Sequence, residues 1–278
     1  MNTLDMITTN EPPKLLYHYT SPAGLHGIIK SKCIWASNLH YLNDSREFSY
    51  TSEFVDSILK EHNYDPEFSK KFNLFVKAHQ NSNKFVFSLS ESENLLSQWR
   101  GYCPPTGGYS LGFDSKKLQK ILSKENKFQF CQCQYDKDIQ YSLVHEFLEL
   151  NYQQYRKYEE KNDFWRENWS TIASQFGFIA SIIKHPSWSE EKEWRVVSKG
   201  HFVPLSDSNF DVRVGKHYLI PYMKISMGDS SEEYPFKGVM VGPNPHQKLA
   251  GLSALNLLAI NEIIDREISY SEIPFRAC

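Results

Sequence analysis

The sequence predicts an α+β fold. Short apolar runs rich in aromatic and β-branched residues recur along the whole chain. Single helices do not alternate with them regularly, as a doubly wound parallel sheet would require. One long stretch, about 139–184, keeps a helical pattern with many exposed Glu, Lys and Gln, and reads as two helices inserted in or flanking the sheet.

The elements follow in order. Residues 1–13 read as a polar tail ending in Pro12-Pro13, and 14–278 as one domain. Leu15-Leu16-Tyr17-His18-Tyr19 is a first strand, bounded by Thr20-Ser21-Pro22. Pro22 suits the first turn of a helix whose apolar face carries Leu25, Ile28 and Ile29. Cys33–Ser37 is a second strand. Asn43-Asp44-Ser45 offers caps for a helix carrying Phe48, Phe54, Val55, Ile58 and Leu59. Pro66–His79 is a further helix, Lys84–Ser90 a strand, and Leu95–Tyr102 a short helix. A turn at Pro104–Gly108 leads into the strand Tyr109–Phe113. Trp194–Val197, His217–Pro221, Phe236–Gly242 and Ile268–Tyr270 are strands, and His246–Ala259 is a helix.

Composition narrows the class. The 278 residues include 18 Phe, 16 Tyr and 6 Trp, an aromatic share of 14% that excludes disorder. A net charge of −2 argues against coating nucleic acid through bulk charge, although a local basic groove stays open. No apolar run approaches the roughly 20 residues of a membrane helix, and the first residues lack a signal-peptide pattern. The expectation is a cytoplasmic protein. Cys131-Gln132-Cys133 alternates like one face of a strand, unlike a zinc knuckle.

Three clusters carry candidate chemistry. His18, beside Tyr19 and Thr20 at a strand end, is either a hydrogen-bonded core histidine or a donor to a ribose hydroxyl. Trp35, Tyr41, Asn43 and Tyr50 read either as core and helix cap or as a clamp around a flat ring. Glu191 and Glu193 lie two apart, so on an extended backbone they share a face and raise at least one pKa; the alternative is a solvated charge run. Ser88, Trp99 and Arg100 line a fourth segment, where Arg100 could meet a phosphate and Ser88 a ribose or carboxamide.

The ordered motifs Y-H-Y-T-S, I-W-A-S…L-N-D-x-x-E, F-S-L-S-E…Q-W-R-x-Y…G-G-Y-S-L-G-F-D and W-x-x-E-x-E-W-R run from Leu15 to about Gly242, followed by an Ile273-Pro274-Phe275-Arg276 tail. The set resembles a prokaryotic domain family of unknown function. The same order resembles the His–Tyr–Glu form of the ADP-ribosyltransferase superfamily. That resemblance implies a split mixed or antiparallel sheet with flanking helices, and NAD+ as co-substrate without a metal. By position it implies His18 and Thr20 at the adenosine-side ribose, and a nicotinamide clamp from Trp35 or Tyr41 with Tyr50. Glu193 would be the essential glutamate and Glu191 the residue that orients the acceptor. Trp35 stands where a Tyr is expected, and Tyr50 follows it at a longer spacing than in toxin-like members. The implied activity is mono-ADP-ribosylation of RNA, DNA or protein by a toxin or anti-phage effector, with an antitoxin or regulatory protein as a further partner. An NAD+ glycohydrolase and a non-catalytic nucleotide- or partner-binding sensor are the alternatives.

Overall fold

In a computed structural model, the described residues are 10–42, 47–79, 83–199, 209–215, 217–228, 233–263 and 265–274. Asn43, Asp44 and Ser45 lie outside them, as do most of the tail and Phe275-Arg276.

The first strand is β1 (Leu15–Thr20). Ser21 caps α1 (Pro22–Ser31) by accepting from the Gly24 N–H, and Pro22 opens the helix where its missing N–H costs nothing. Lys32, at φ 53°, ends the helix and turns the chain into β2 (Cys33–Asn38). Next come α2 (Glu47–Glu61), α3 (Pro66–His79), β3 (Phe85–Ser90), α4 (Leu96–Tyr102) and β4 (Tyr109–Asp114). The expected helical stretch forms α6 (Lys137–Lys157) and α7 (Lys161–Ile182). Before them stand α5 (Ser115–Glu125), capped by Asp114 and not expected from the sequence, and β5 (Phe128–Gln132), of which the sequence showed only the strand-like alternation at Cys131-Gln132-Cys133. A 3-10 turn at Pro186–Glu191 leads into β6 (Glu193–Ser198). The chain closes with β7 (Phe210–Val214), β8 (Leu219–Ser226), β9 (Phe236–Val241), α8 (Gln247–Ile260) and β10 (Glu267–Tyr270).

β7 was not expected either. It is a largely exposed strand paired only with β8, so burial leaves no alternation to read. The predicted His217–Pro221 strand runs instead from Leu219 through Pro221 to Ser226. Pairing with β2 starts only at Tyr222, so Pro221 needs a partner on one edge alone.

Among the described residues the strands form one ten-stranded mixed sheet, parallel only where β10 meets β9. The sheet forks at β3. One edge of β3 pairs along its length with β6, which pairs in turn with β5. The other edge is shared. Tyr17 of β1 pairs with Ser90, while Ser37 and Asn38 of β2 pair with Val86 and Phe85. Neither strand pairs with the stretch between, so β1 and β2 diverge over Phe87–Leu89. One arm continues through β4, β9 and β10, the other through β8 and β7.

Alternation on the stem strands separates two apolar cores. Val86 and Val197 face a layer built by α2, α3, α6 and α7, filled by Phe68, Phe72, Phe147, Phe164 and Phe176. Phe85, Phe87, Leu89 and Val196 face the second core with α1, α5 and α8. Much of the aromatic excess therefore fills the helical layer.

Candidate functional site

The fork leaves a cavity of about 480 Å³ between β1, β2 and β3, roofed on one side by β7. His18, Thr20, Trp35, Tyr41 and Ser88 line it, with Arg213 of β7. A much smaller pocket of about 30 Å³ adjoins it, sharing His18, Tyr19, Ser88 and Tyr102, and holding Glu191 and Glu193 on its far wall.

His18 fills the break in the strand ladder. Its Nδ1 lies 2.9 Å from the Ser88 carbonyl, and its ring packs on Phe87. A carbonyl only accepts, so Nδ1 carries the proton. Burial pushes the His18 pKa down to about 4, against the Ser88 bond and with help from Arg213. At neutral pH the ring is therefore uncharged, and Nε2 is an acceptor. The sequence left two readings, a hydrogen-bonded core histidine or a donor to a ribose hydroxyl; Nδ1 is bonded within the fold, and with this tautomer Nε2 can accept but not donate.

The low pKa has a measurable consequence. The folded state binds fewer protons at His18 than the unfolded state between about pH 4 and 6.5. Stability from this group is thus complete above pH 6.5 and lost as pH falls toward 4, by at most about 3 kcal/mol. Urea midpoints at pH 7 and 4.5 should show a steeper acid loss in the wild type than in His18→Asn, which keeps a donor near Nδ1 but does not titrate.

The two carboxylates reach one place by a route that an extended backbone does not provide. Glu191 ends the 3-10 turn, Lys192 sits at φ 41°, and Glu193 starts β6. The left-handed residue throws Lys192 and Glu190 to the solvent and turns both Glu191 and Glu193 inward, where they are 4% and 3% exposed. Lys184, just past the end of α7, is 1% exposed and binds both, Glu191 directly and Glu193 Oε2 at 2.6 Å. Arg195 reaches Glu193 Oε1 through Nε at 2.7 Å and Oε2 through a terminal nitrogen at 3.1 Å. Arg195 also donates to the Ser181 carbonyl at the α7 carboxyl end, which favours a cation.

These partners set opposite titrations. Burial alone would raise the Glu193 pKa, but Arg195 and Lys184 outweigh it and hold the carboxylate well below the usual range. Burial raises Glu191, and Glu193 adds to the rise against the pull of Lys184. The expectation that one member of the pair is raised therefore falls on Glu191. Tyr102 donates to Glu191 Oε1 at 3.1 Å, and the Tyr135 hydroxyl accepts from the Glu193 N–H at 3.0 Å. Sequence reasoning missed Lys184 and Tyr135, which no local signal ties to the glutamates, and did not read Arg195 as a partner although it lies two residues past Glu193 on one face of β6.

The aromatic candidates divide. The Trp35 ring packs on Tyr222 at 4.6 Å, Tyr41 meets Tyr218 at 5.4 Å, and both Trp35 and Tyr41 line the large cavity. Gly27 makes room for Trp35: a Cβ there would fall inside the indole ring. Gly27→Ala should push that ring from its seat, cost about 1–3 kcal/mol by overpacking, and change Trp fluorescence in proportion. Tyr50 is not in the cavity. It faces the helical layer, donating to Gln140 and packing on Phe54 and His185. Tyr50 is not among the residues that line the cavity, so the structure does not bring it together with Trp35 and Tyr41 there. Trp99 is buried against Tyr19, with its indole N–H on Asn94, and serves packing. Tyr19 bonds the Ser92 carbonyl and the Leu95 N–H, bracing the start of α4. Arg100 lies on the exposed side of α4 and does not line the cavity; the arginine there is Arg213. Asn43 lies outside the described residues.

Among the described residues, no three His, Cys, Asp or Glu side chains are grouped to hold a metal. No described helix is long and apolar enough to cross a membrane. Cys131 in β5 and Cys133 just past its end are buried thiols, and burial pushes Cys131 up to about 12.

Fold and site together define a mixed α+β protein with a ligand-sized cleft at a sheet fork and a buried four-charge cluster beside it. Residues 98–196 match the model of a protein family of unknown function, DUF2971. That match spans α4 to β6, and so includes Tyr102, Lys184, Glu191, Glu193 and Arg195, while His18, Trp35 and Arg213 fall outside it. No curated protein and no solved structure matches the chain.

Proposed function

We propose that the chain binds NAD+ in the forked cleft and transfers its ADP-ribosyl group to a macromolecule. One observation supports this reading above the others: His18 and the Glu191–Glu193 pair, far apart in sequence, share one pocket beside a cavity of nucleotide size. The forked sheet is also what the resemblance to ADP-ribosyltransferases implies. In this reaction the bond between ribose C1 and the nicotinamide nitrogen breaks. Its electron pair leaves with neutral nicotinamide, the ribose develops oxocarbenium charge, and an acceptor nucleophile forms the new bond. Trp35 and Tyr41 supply the flat apolar walls for a ring. His18 Nε2 accepts from a ribose hydroxyl. Glu193, held ionised by its two cations, carries the negative charge that the ribose cation needs. Glu191, with its raised pKa, takes the acceptor's proton.

A second reading has its own support. The charges of Glu191 and Glu193 are matched by Lys184 and Arg195, so the cluster as a whole is neutral. Such a cluster suits a binding module that recognises a nucleotide without cleaving it. One experiment separates the readings: incubation with labelled NAD+ and total cell RNA, DNA and protein, with free nicotinamide measured alongside. Label on a macromolecule supports transfer. Nicotinamide release without label identifies water as the acceptor, an NAD+ glycohydrolase. NAD+ bound but intact supports the binding module, and no binding at all overturns all three.

A further inference from the structure

Arg213 is the ionic residue of the large cavity that the proposed chemistry does not use. It lies on β7 and lines the same cavity as His18, near enough for its charge to help keep that ring neutral. It is partly buried, and burial works against its charge. Its hydrogen bond is a long one, 3.3 Å to the neutral Ser37 hydroxyl. Asp211, two residues away on the same strand, is taken by Lys224 at 2.7 Å and by the Tyr222 hydroxyl. Among the described residues, no carboxylate pairs with Arg213, and no Asp or Glu lines the cavity. The contrast with the adjoining pocket is direct: there, two cations meet two carboxylates. A partly desolvated guanidinium without a counter-charge carries a cost, and the natural compensation is an anion that arrives with the ligand. The amino end of α1, through Ala23 and Gly24, borders the same cavity and adds positive potential. A guanidinium suits phosphate in particular, since its planar fork can donate two parallel bonds to two oxygens.

We propose that Arg213 is the anion-binding residue of the cleft and that its ligand is a phosphate-bearing nucleotide, the phosphate lying between Arg213 and the amino end of α1. The nucleotide part rests on the NAD+ reading; the phosphate part does not. Trp35 and Tyr41 hold the ring portion, so specificity needs both a ring and a phosphate.

The test is calorimetric titration of the full chain with NAD+, ADP-ribose, ADP and inorganic pyrophosphate, and with adenosine and nicotinamide riboside as phosphate-free controls. At least one phosphate-bearing compound should bind the wild type, at least tenfold more tightly than either control, with affinity falling as salt rises. Arg213→Gln should lose at least tenfold for that compound and change the controls by less than threefold. Arg213→Lys, which keeps the charge but not the fork, should fall between. If Arg213→Gln does not fold, displacement of ADP-ribose by pyrophosphate in the wild type still decides the matter. Binding of ADP or pyrophosphate through Arg213, with NAD+ neither bound nor cleaved, keeps the anion site and removes the NAD+ reading. NAD+ turned over equally by wild type and Arg213→Gln removes the anion site and keeps the NAD+ reading. Equal affinity for phosphate-bearing and phosphate-free compounds, or no binding of any, overturns the proposal.

Discussion

Lys184→Met should lower the stability of the protein by about 3–5 kcal/mol, the usual loss when one member of a buried ion pair is removed. Lys184 is 1% exposed and is the group common to both carboxylates. Its own charge survives because attraction to Glu193 and Glu191 outweighs the burial and the Arg195 charge that would lower its pKa. Met fills similar volume but supplies no charge, so Glu191 and Glu193 would repel with only Arg195 to answer both. The loss should depend on pH in a defined direction. Without Lys184, the Glu191 carboxyl rises further above its unfolded value, so the folded variant gains protons that the unfolded chain does not hold. Its deficit should therefore shrink as pH falls from 7 to 5. Urea denaturation of both proteins at these two pH values measures it. A deficit below about 1 kcal/mol at pH 7 would mean that the cluster is less desolvated than its burial implies.

Glu193→Gln should reduce nicotinamide release from NAD+ by about 10²–10³-fold, the scale of losing a principal electrostatic contact to a developing charge. NAD+ affinity should change by less than about threefold, because ring and phosphate contacts lie elsewhere in the cleft. Glu191→Gln should act differently under the same mechanism. The bond-breaking step needs no proton from Glu191, so release into water should fall little while transfer to the macromolecule falls strongly. Rates of nicotinamide release and of label incorporation, measured together, give this split. If both variants release nicotinamide at the wild-type rate, neither glutamate takes part in bond cleavage. If wild type and variants alike bind NAD+ and leave it intact, the neutral cluster is part of a binding module.

Much of the fold was legible because its signals are local. Ser21-Pro22 before Leu25, Ile28 and Ile29 specifies both the start and the buried face of α1. The alternation in Phe85–Ser90 marks a strand, and Pro66–His79 was bounded at both ends by its own residues. β7 offered little to read, being an edge strand with little burial. α5 does carry local signals that went unused, an Asp114 cap and buried Leu118 and Leu122 at helical spacing. Of the site, His18, Thr20, Trp35, Tyr41, Ser88, Glu191 and Glu193 were placed at the two adjoining pockets, as were Tyr19 and, unforeseen, Arg213. Tyr50 does not line either pocket and bonds Gln140 instead, because spacing along a helix does not tell which neighbours a side chain will meet.

The sequence by itself determined the α+β class, most element boundaries and the residue types able to do chemistry. These depend on capping, alternation and propensity, which act within a few residues. Only the tertiary structure decided that β1 and β2 share one edge of β3 and so open a cleft, that Lys184 and Arg195 neutralise the glutamate pair, and that His18 is a neutral acceptor. Each of those depends on groups far apart in the chain being brought into a medium of low dielectric, where a hydrogen bond or a charge has a partner or is costly. Position in the sequence carries no record of that desolvation.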